Sequence, residues 1–144
     1  VGDGDRDRAA VAALVHAYAE RLDGGDLDGV ADLFAAATWR SGAGTVRRGR
    51  DEVRAVYDGV QLYDGVPRTK HLITNLVVEL GPGPNEAGAR CTFTVLQGVT
   101  PGAPLCLVLA GRYQDRFTRG PGGWAFNDRL ILPDLLGDGS RHFR

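Results

Sequence analysis

The sequence predicts an α+β domain: three N-terminal helices closing off a strongly curved, mainly antiparallel sheet, with a cone-shaped pocket between them. Helical periodicity is confined to the chain before residue 60, and strand alternation fills it from residue 71 onward. The later segments are separated by glycine- and proline-rich turns rather than helices, so successive strands should pair antiparallel. Helices first and strands afterwards segregate to opposite sides of one sheet, and a bent sheet closed by helices leaves a cone that suits a small molecule.

The first helix lies in "DRDRAAVAALVHAYAERLDGGD", where Val11, Leu14, Val15, Tyr18 and Leu22 form one stripe and Arg8, Glu20 and Arg21 lie off it. Asp5 or Asp7 is the expected cap, and Gly24-Gly25 the stop. "DLDGVADLFAA" is a second, short helix capped by Asp26 or Asp28, burying Val30, Leu33 and Phe34. "ATWRSGAGTVRRG" holds two short strands around a Ser-Gly-Ala-Gly turn. "GRDEVRAVYDGV" is a third helix with acidic residues in its first turn. "HLITNLVVEL" then alternates, with His71, Ile73, Asn75 and Val77 expected on one face. "ARCTFTVLQG" puts Cys91, Phe93, Val95 and Gln97 on a face, "LCLVLAGRYQDRFTR" bends at Gly111, and "WAFNDRLILPD" is the last strand. Residues 1–136 form a single domain in this reading, with 137–144 a flexible tail.

At 144 residues and a net charge of -1 the chain can bury a real core but carries no basic excess, which argues against nucleic acid as partner. Its longest apolar runs are too short to span a bilayer, and "VGDGDRDRAA" is the reverse of a signal peptide. Cys91 and Cys106 fall inside strands and suggest free thiols in a reducing compartment, so a cytoplasmic location is expected. His-x-His, His-Glu-x-x-His and Cys-x-x-Cys spacings are absent, so no metal site is expected, and no Gly-x-Ser-x-Gly elbow occurs. "GPGPNEAG" and "RGPGGW" each lie between two strands and are hairpin loops, not phosphate cradles.

The chemistry concentrates on "RTKHLITN" and "YAERLDGGD". His71 heads a strand, and Asp23 sits in the last turn of a helix, where the dipole and burial should both raise its pKa. Together they form a candidate dyad in which the imidazole moves a proton and the carboxylate fixes its tautomer. Tyr18 is a candidate donor to a substrate oxygen. Structural roles compete: Asp23 as a turn residue bonding the following backbone, His71 as a half-exposed strand start, Tyr18 as core.

The order of elements, with "YAERLDGGDLDGVADLF", "RTKHLITNLVVE" and "GRYQDRFTRGPGGWAFNDRLIL", resembles the NTF2-like superfamily and its SnoaL-like branch over residues 7 to 135. That branch is similar to scytalone dehydratase, hexachlorocyclohexane dehydrochlorinase and bile acid 7α-dehydratase. The resemblance implies pairing of Asp23 with His71, and a tyrosine at Tyr18. A second histidine of scytalone dehydratase falls nearest Gln97, which cannot act as a general acid.

The resulting expectation is a cofactor-independent dehydratase, isomerase or cyclase acting on a small hydrophobic carbonyl compound. Tyr57, Leu62, Tyr63, Asn75, Phe93, Gln97 and Tyr113 are the expected substrate contacts. The alternative is a non-catalytic ligand-binding or assembly module of the same fold. Apolar residues on both faces of the last two strands point to a homodimer or homotrimer.

Overall fold

The computed structural model describes residues 2–144. The first helix, α1 (Asp3–Asp23), buries Val11, Val15, Tyr18 and Leu22, four positions of its predicted stripe. Val11 and Val15 are fully enclosed, and burial on that scale contributes about 1.5–3 kcal/mol per side chain. The helix starts earlier than the acidic caps suggested: its N-cap is Gly2, and no side chain caps it. Asp3 and Asp5 lie in the first turn, where their charge complements the dipole. Asp7 is engaged elsewhere, accepting from Arg119 Nη1 and Trp124 Nε1 at 2.8 and 2.9 Å. Helix α2 (Leu27–Asp32) is capped by Asp26, whose carboxylate accepts from the Gly29 N–H at 2.9 Å.

Strands β1 (Thr38–Ser41) and β2 (Val46–Arg48) form a small hairpin, followed by α3 (Gly49–Val56) and a 3₁₀ turn over Tyr57–Gly59. Four long strands complete the fold: β3 (Thr69–Leu80), β4 (Glu86–Gln97), β5 (Cys106–Gly120) and β6 (Gly123–Leu136). The six strands make one sheet in the order β2-β1-β6-β5-β4-β3. All pairings are antiparallel except β1 with β6, which run parallel. The sheet curls without closing, and the helices lie against its concave side.

Register shifts allow the curl. One lies at Gly111, as the sequence suggested: a Cβ there would run into the Leu132 carbonyl and crowd the Phe93 ring. Another breaks β3 between Thr74 and Val77, with Asn75 at φ +54°. This bulge overturns the uniform alternation expected of β3. Ile73 faces the core before it, and Leu76, Val78 and Leu80 face the core after it, while Asn75 and Val77 are turned out. With two residues, Asn75 and Leu76, set against one on β4, the extra residue reverses which parity points inward.

Residues 137–144, expected as a flexible tail, fold back across the open end of the sheet. The Gln61 side chain donates to the Ser140 and Phe143 carbonyls at 2.9 and 2.8 Å, and the Tyr63 hydroxyl donates to the Arg141 carbonyl at 2.6 Å. Phe143 also bridges Val60. Backbone polar groups satisfied in this way hold a segment that has too few apolar residues to announce itself.

Candidate active site

The end of α1 delivers Asp23 to the start of β3. Gly24 caps the helix, and Gly25 turns the chain at φ +77° against the Gly65 carbonyl, where any Cβ would collide. The Asp23 carboxylate therefore points at Thr69 and His71. Its Oδ2 accepts from the His71 backbone N–H at 2.8 Å, and its Oδ1 accepts from the Thr69 hydroxyl at 2.8 Å and from His71 Nδ1 at 2.6 Å. An ionised carboxylate only accepts, so Nδ1 carries the proton in that contact. The ring edge opposite Asp23, with Nε2, is left over. His71 lies on a cavity wall, while Asp23 stands behind it.

The carboxylate is tuned in the direction opposite to the sequence expectation. Burial alone would raise Asp23, but the hydrogen bond and charge of His71, with the bonds from its backbone and Thr69, outweigh burial and hold the carboxyl below its usual range. Three donors on one carboxylate stabilise the anion more than the helix end destabilises it. Asp23 is thus a permanent anion behind the imidazole rather than a proton donor.

The cavity is about 310 Å³, at the small end of ligand pockets. Tyr18, Tyr57, Phe93 and Tyr113, all among the candidates read from the sequence, line it with His71, together with Trp39 and Pro133. The Phe93 and Tyr113 rings stack at 4.3 Å. The Tyr18 and Tyr57 hydroxyls lie 2.6 Å apart, and Tyr57 Oη also accepts from Trp39 Nε1 at 3.2 Å. Two phenols hold two O–H protons, and their mutual bond uses one. Whichever donates to the other, one proton remains to donate elsewhere. Burial raises all three tyrosine pKa values, so these phenols are neutral donors near pH 7.

Beneath the tyrosines lies a buried ion pair that sequence reasoning missed. Arg129 on β6 faces Asp115 on β5 in register, donating through Nε and Nη2 at 2.8 and 2.9 Å. Its guanidinium carbon lies 3.8 Å from the Tyr113 ring centre and 4.4 Å from that of Tyr18. Burial opposes its charge, but the Asp115 carboxylate outweighs this and holds Arg129 protonated.

Four expected substrate contacts lie elsewhere. Asn75, turned out by the bulge, borders a surface depression with Arg90 and Arg112. Gln97 is buried but spends its amide N–H groups on the Pro67 and Arg141 carbonyls, at 3.0 and 3.1 Å. Tyr63 braces the C-terminal segment through its hydroxyl, Leu62 is exposed, and neither lines the cavity. In their place the returning tail supplies His142, which is 3% exposed and lines the cavity with Phe143 and Arg144. Only the rarity of histidine in this chain could have pointed to it. Burial pushes the Cys91 thiol up to about 11, which leaves it an inert core residue. Among the described residues no group of three or more His, Cys, Asp or Glu side chains is placed to hold a metal ion, and no helix is long and apolar enough to cross a membrane.

Comparison with known families agrees with this architecture. The SnoaL-like domain profile matches residues 6–129. The chain belongs to the SnoaL-like family. Among solved structures, this SnoaL-like protein is similar to an NTF2-like protein with a cystatin-like fold from Novosphingobium aromaticivorans. That match has a TM-score of 0.76 and 24% identity, covering 94% of this chain and 84% of the other. It is also similar to a protein of the same organism provisionally named a scytalone dehydratase, with a TM-score of 0.72, 22% identity and coverage of 88% and 83%. A third is the beta subunit of a provisionally assigned aromatic-ring-hydroxylating dioxygenase from that organism, with a TM-score of 0.75, 18% identity and coverage of 94% of each chain. No curated protein matches the SnoaL-like chain. At these identities the structural matches carry the fold: an α+β, NTF2-like cone.

Proposed function

We propose that this SnoaL-like protein is a cofactor-independent acid–base enzyme that acts on a small hydrophobic carbonyl compound. The observation that carries the reading is the 2.6 Å contact between Asp23 Oδ1 and His71 Nδ1, made by a ring on the wall of an aromatic cavity. Asp23 fixes the neutral ring with its lone pair on Nε2 and stabilises the imidazolium formed when that nitrogen takes a proton. The proton comes from carbon next to the substrate carbonyl, and the C–H electron pair moves into the carbonyl to give an enolate. The uncommitted O–H of the Tyr18–Tyr57 pair donates to the enolate oxygen. Loss of a β-hydroxyl with its bonding pair, protonated by the His71 imidazolium as it leaves, gives water and dehydration. Return of the His71 proton to another carbon gives isomerisation, and attack of the enolate carbon on an internal carbonyl, whose oxygen takes that proton, gives ring closure.

Hydrogen–deuterium exchange at the α-carbons of 2-tetralone, a bicyclic ketone, tests the shared first step. Wild-type protein in D₂O should accelerate exchange above buffer, and His71→Ala should lose about 10²–10⁴-fold of that acceleration. Exchange equal in the two proteins would sink the reading.

The second reading is a binding or assembly module, favoured by the beta-subunit neighbour and by exposed leucines. Leu105, Leu107, Leu135 and Leu136 stand out at one end of β5 and β6, a patch suited to a dimer or trimer contact. Light scattering on the purified protein reads the oligomeric state, and an absence of any ketone exchange would turn the balance to this module.

A further inference from the structure

The tail that crosses the cavity mouth brings one polar side chain inside. His142 is 3% exposed, and its Nδ1 is enclosed without a hydrogen-bond partner. A buried imidazole normally has both nitrogens engaged, because an unpaired polar atom costs about 1–3 kcal/mol. The backbone around it is fully committed: the His142 N–H donates to Gly139 and its carbonyl accepts from the Gln61 N–H, at 3.0 and 2.8 Å. Arg144 N–H then donates to the Gly59 carbonyl at 2.8 Å. The main chain is fastened on both sides of a ring whose own polar edge is unused. That ring lines the same cavity as His71 and the Tyr18–Tyr57 pair.

We infer that His142 is a second substrate-contacting imidazole, a neutral donor through its Nε2–H to an oxygen of the bound compound, delivered by the C-terminal strap, with the enclosed Nδ1 left as the unprotonated nitrogen. The inference rests on the reading of this cavity as the substrate site. Burial, with the His71 ring opposing a second positive charge and Asp23 only partly offsetting it, lowers His142 to about 4. The ring therefore donates an N–H without transferring a proton. His71 and His142 thus divide the work: one takes a proton from carbon, while the other holds a carbonyl or departing hydroxyl oxygen in place. Gln97, the expected counterpart of a second histidine, instead fastens the Arg141 carbonyl beside the strap's imidazole.

The test compares 2-tetralone with tetralin, the same skeleton without its oxygen, in binding to wild-type protein and to His142→Phe and His142→Asn. His142→Phe should weaken 2-tetralone about three- to tenfold and leave tetralin unchanged, the worth of one buried neutral hydrogen bond. His142→Asn, which keeps a donor, should recover part of the loss. Equal weakening of both ligands, or of neither, would show that His142 only packs and would overturn the inference. Exchange that disappears in His71→Ala while His142→Phe discriminates nothing rejects the inference and retains the enzyme reading. Failure of wild-type protein to exchange 2-tetralone rejects the enzyme reading, and the tetralone–tetralin difference then still decides the role of His142.

Discussion

Two carboxylates in this fold each hold a nitrogen base, to opposite effect. Asp115 and Arg129 face each other between β5 and β6 with side chains 1% and 0% exposed, joined by two parallel hydrogen bonds. Asp23 and His71 are joined at one ring nitrogen, with side chains 12% and 5% exposed. A guanidinium cannot give up its proton, so the first pair is a fixed charge that locks the sheet under the tyrosines. An imidazole can, so the second pair leaves a nitrogen for a cavity. The difference between scaffold and chemistry lies in the base chosen and in one unpaired edge, not in burial.

Breaking the fixed pair should have the largest effect. Asp115→Ala strands Arg129, whose Nη1 already lacks a partner, and should cost about 3–5 kcal/mol in chemical denaturation. Replacing both residues with apolar side chains, Asp115→Leu with Arg129→Met, should restore most of that loss. No apolar replacement of Asp23 and His71 should restore ketone exchange. Asp23→Asn should lower exchange about a hundredfold or more with little loss of fold, because the amide can still accept from Thr69 but cannot stabilise an imidazolium.

A smaller effect separates the two tyrosines. Tyr57→Phe leaves the Trp39 N–H without its acceptor and should cost about 1–3 kcal/mol of stability, whereas Tyr18→Phe should cost less. A separate effect is on pH. His142 titrates at 6.5 when unfolded and at about 4 in the fold, so the unfolded chain binds the proton first. Stability should therefore fall as pH drops from 6.5 toward 4, and melting temperatures of His142→Phe should fall less over that window.

These contrasts also show what was legible in the sequence. The α1 stripe and the Gly24-Gly25 stop carried the first helix, because burial and left-handed backbone leave a residue signature. A helix end and a strand head made Asp23 and His71 candidates, but spacing alone could not pair residues 48 apart, and the family resemblance implied the pairing. The direction of the Asp23 shift depended on three donors that only the folded chain assembles. Asn75 was misplaced because a non-glycine residue at positive φ reverses strand parity without marking the sequence. Asp115 and Arg129 escaped notice because their pairing depends on a hairpin whose register shifts at Gly111 and again near Phe117. The strap was missed because hydrogen bonds, not apolar periodicity, hold it.

The central claim is that Asp23 fixes His71 with its lone pair on Nε2. The ¹⁵N chemical shifts of the histidine rings, followed through a pH titration of wild-type protein and Asp23→Asn, test it most directly. The account predicts a neutral His71 protonated at Nδ1 in the wild type, with that preference weakened in Asp23→Asn. A neutral His71 protonated at Nε2, unchanged by the substitution, would contradict it.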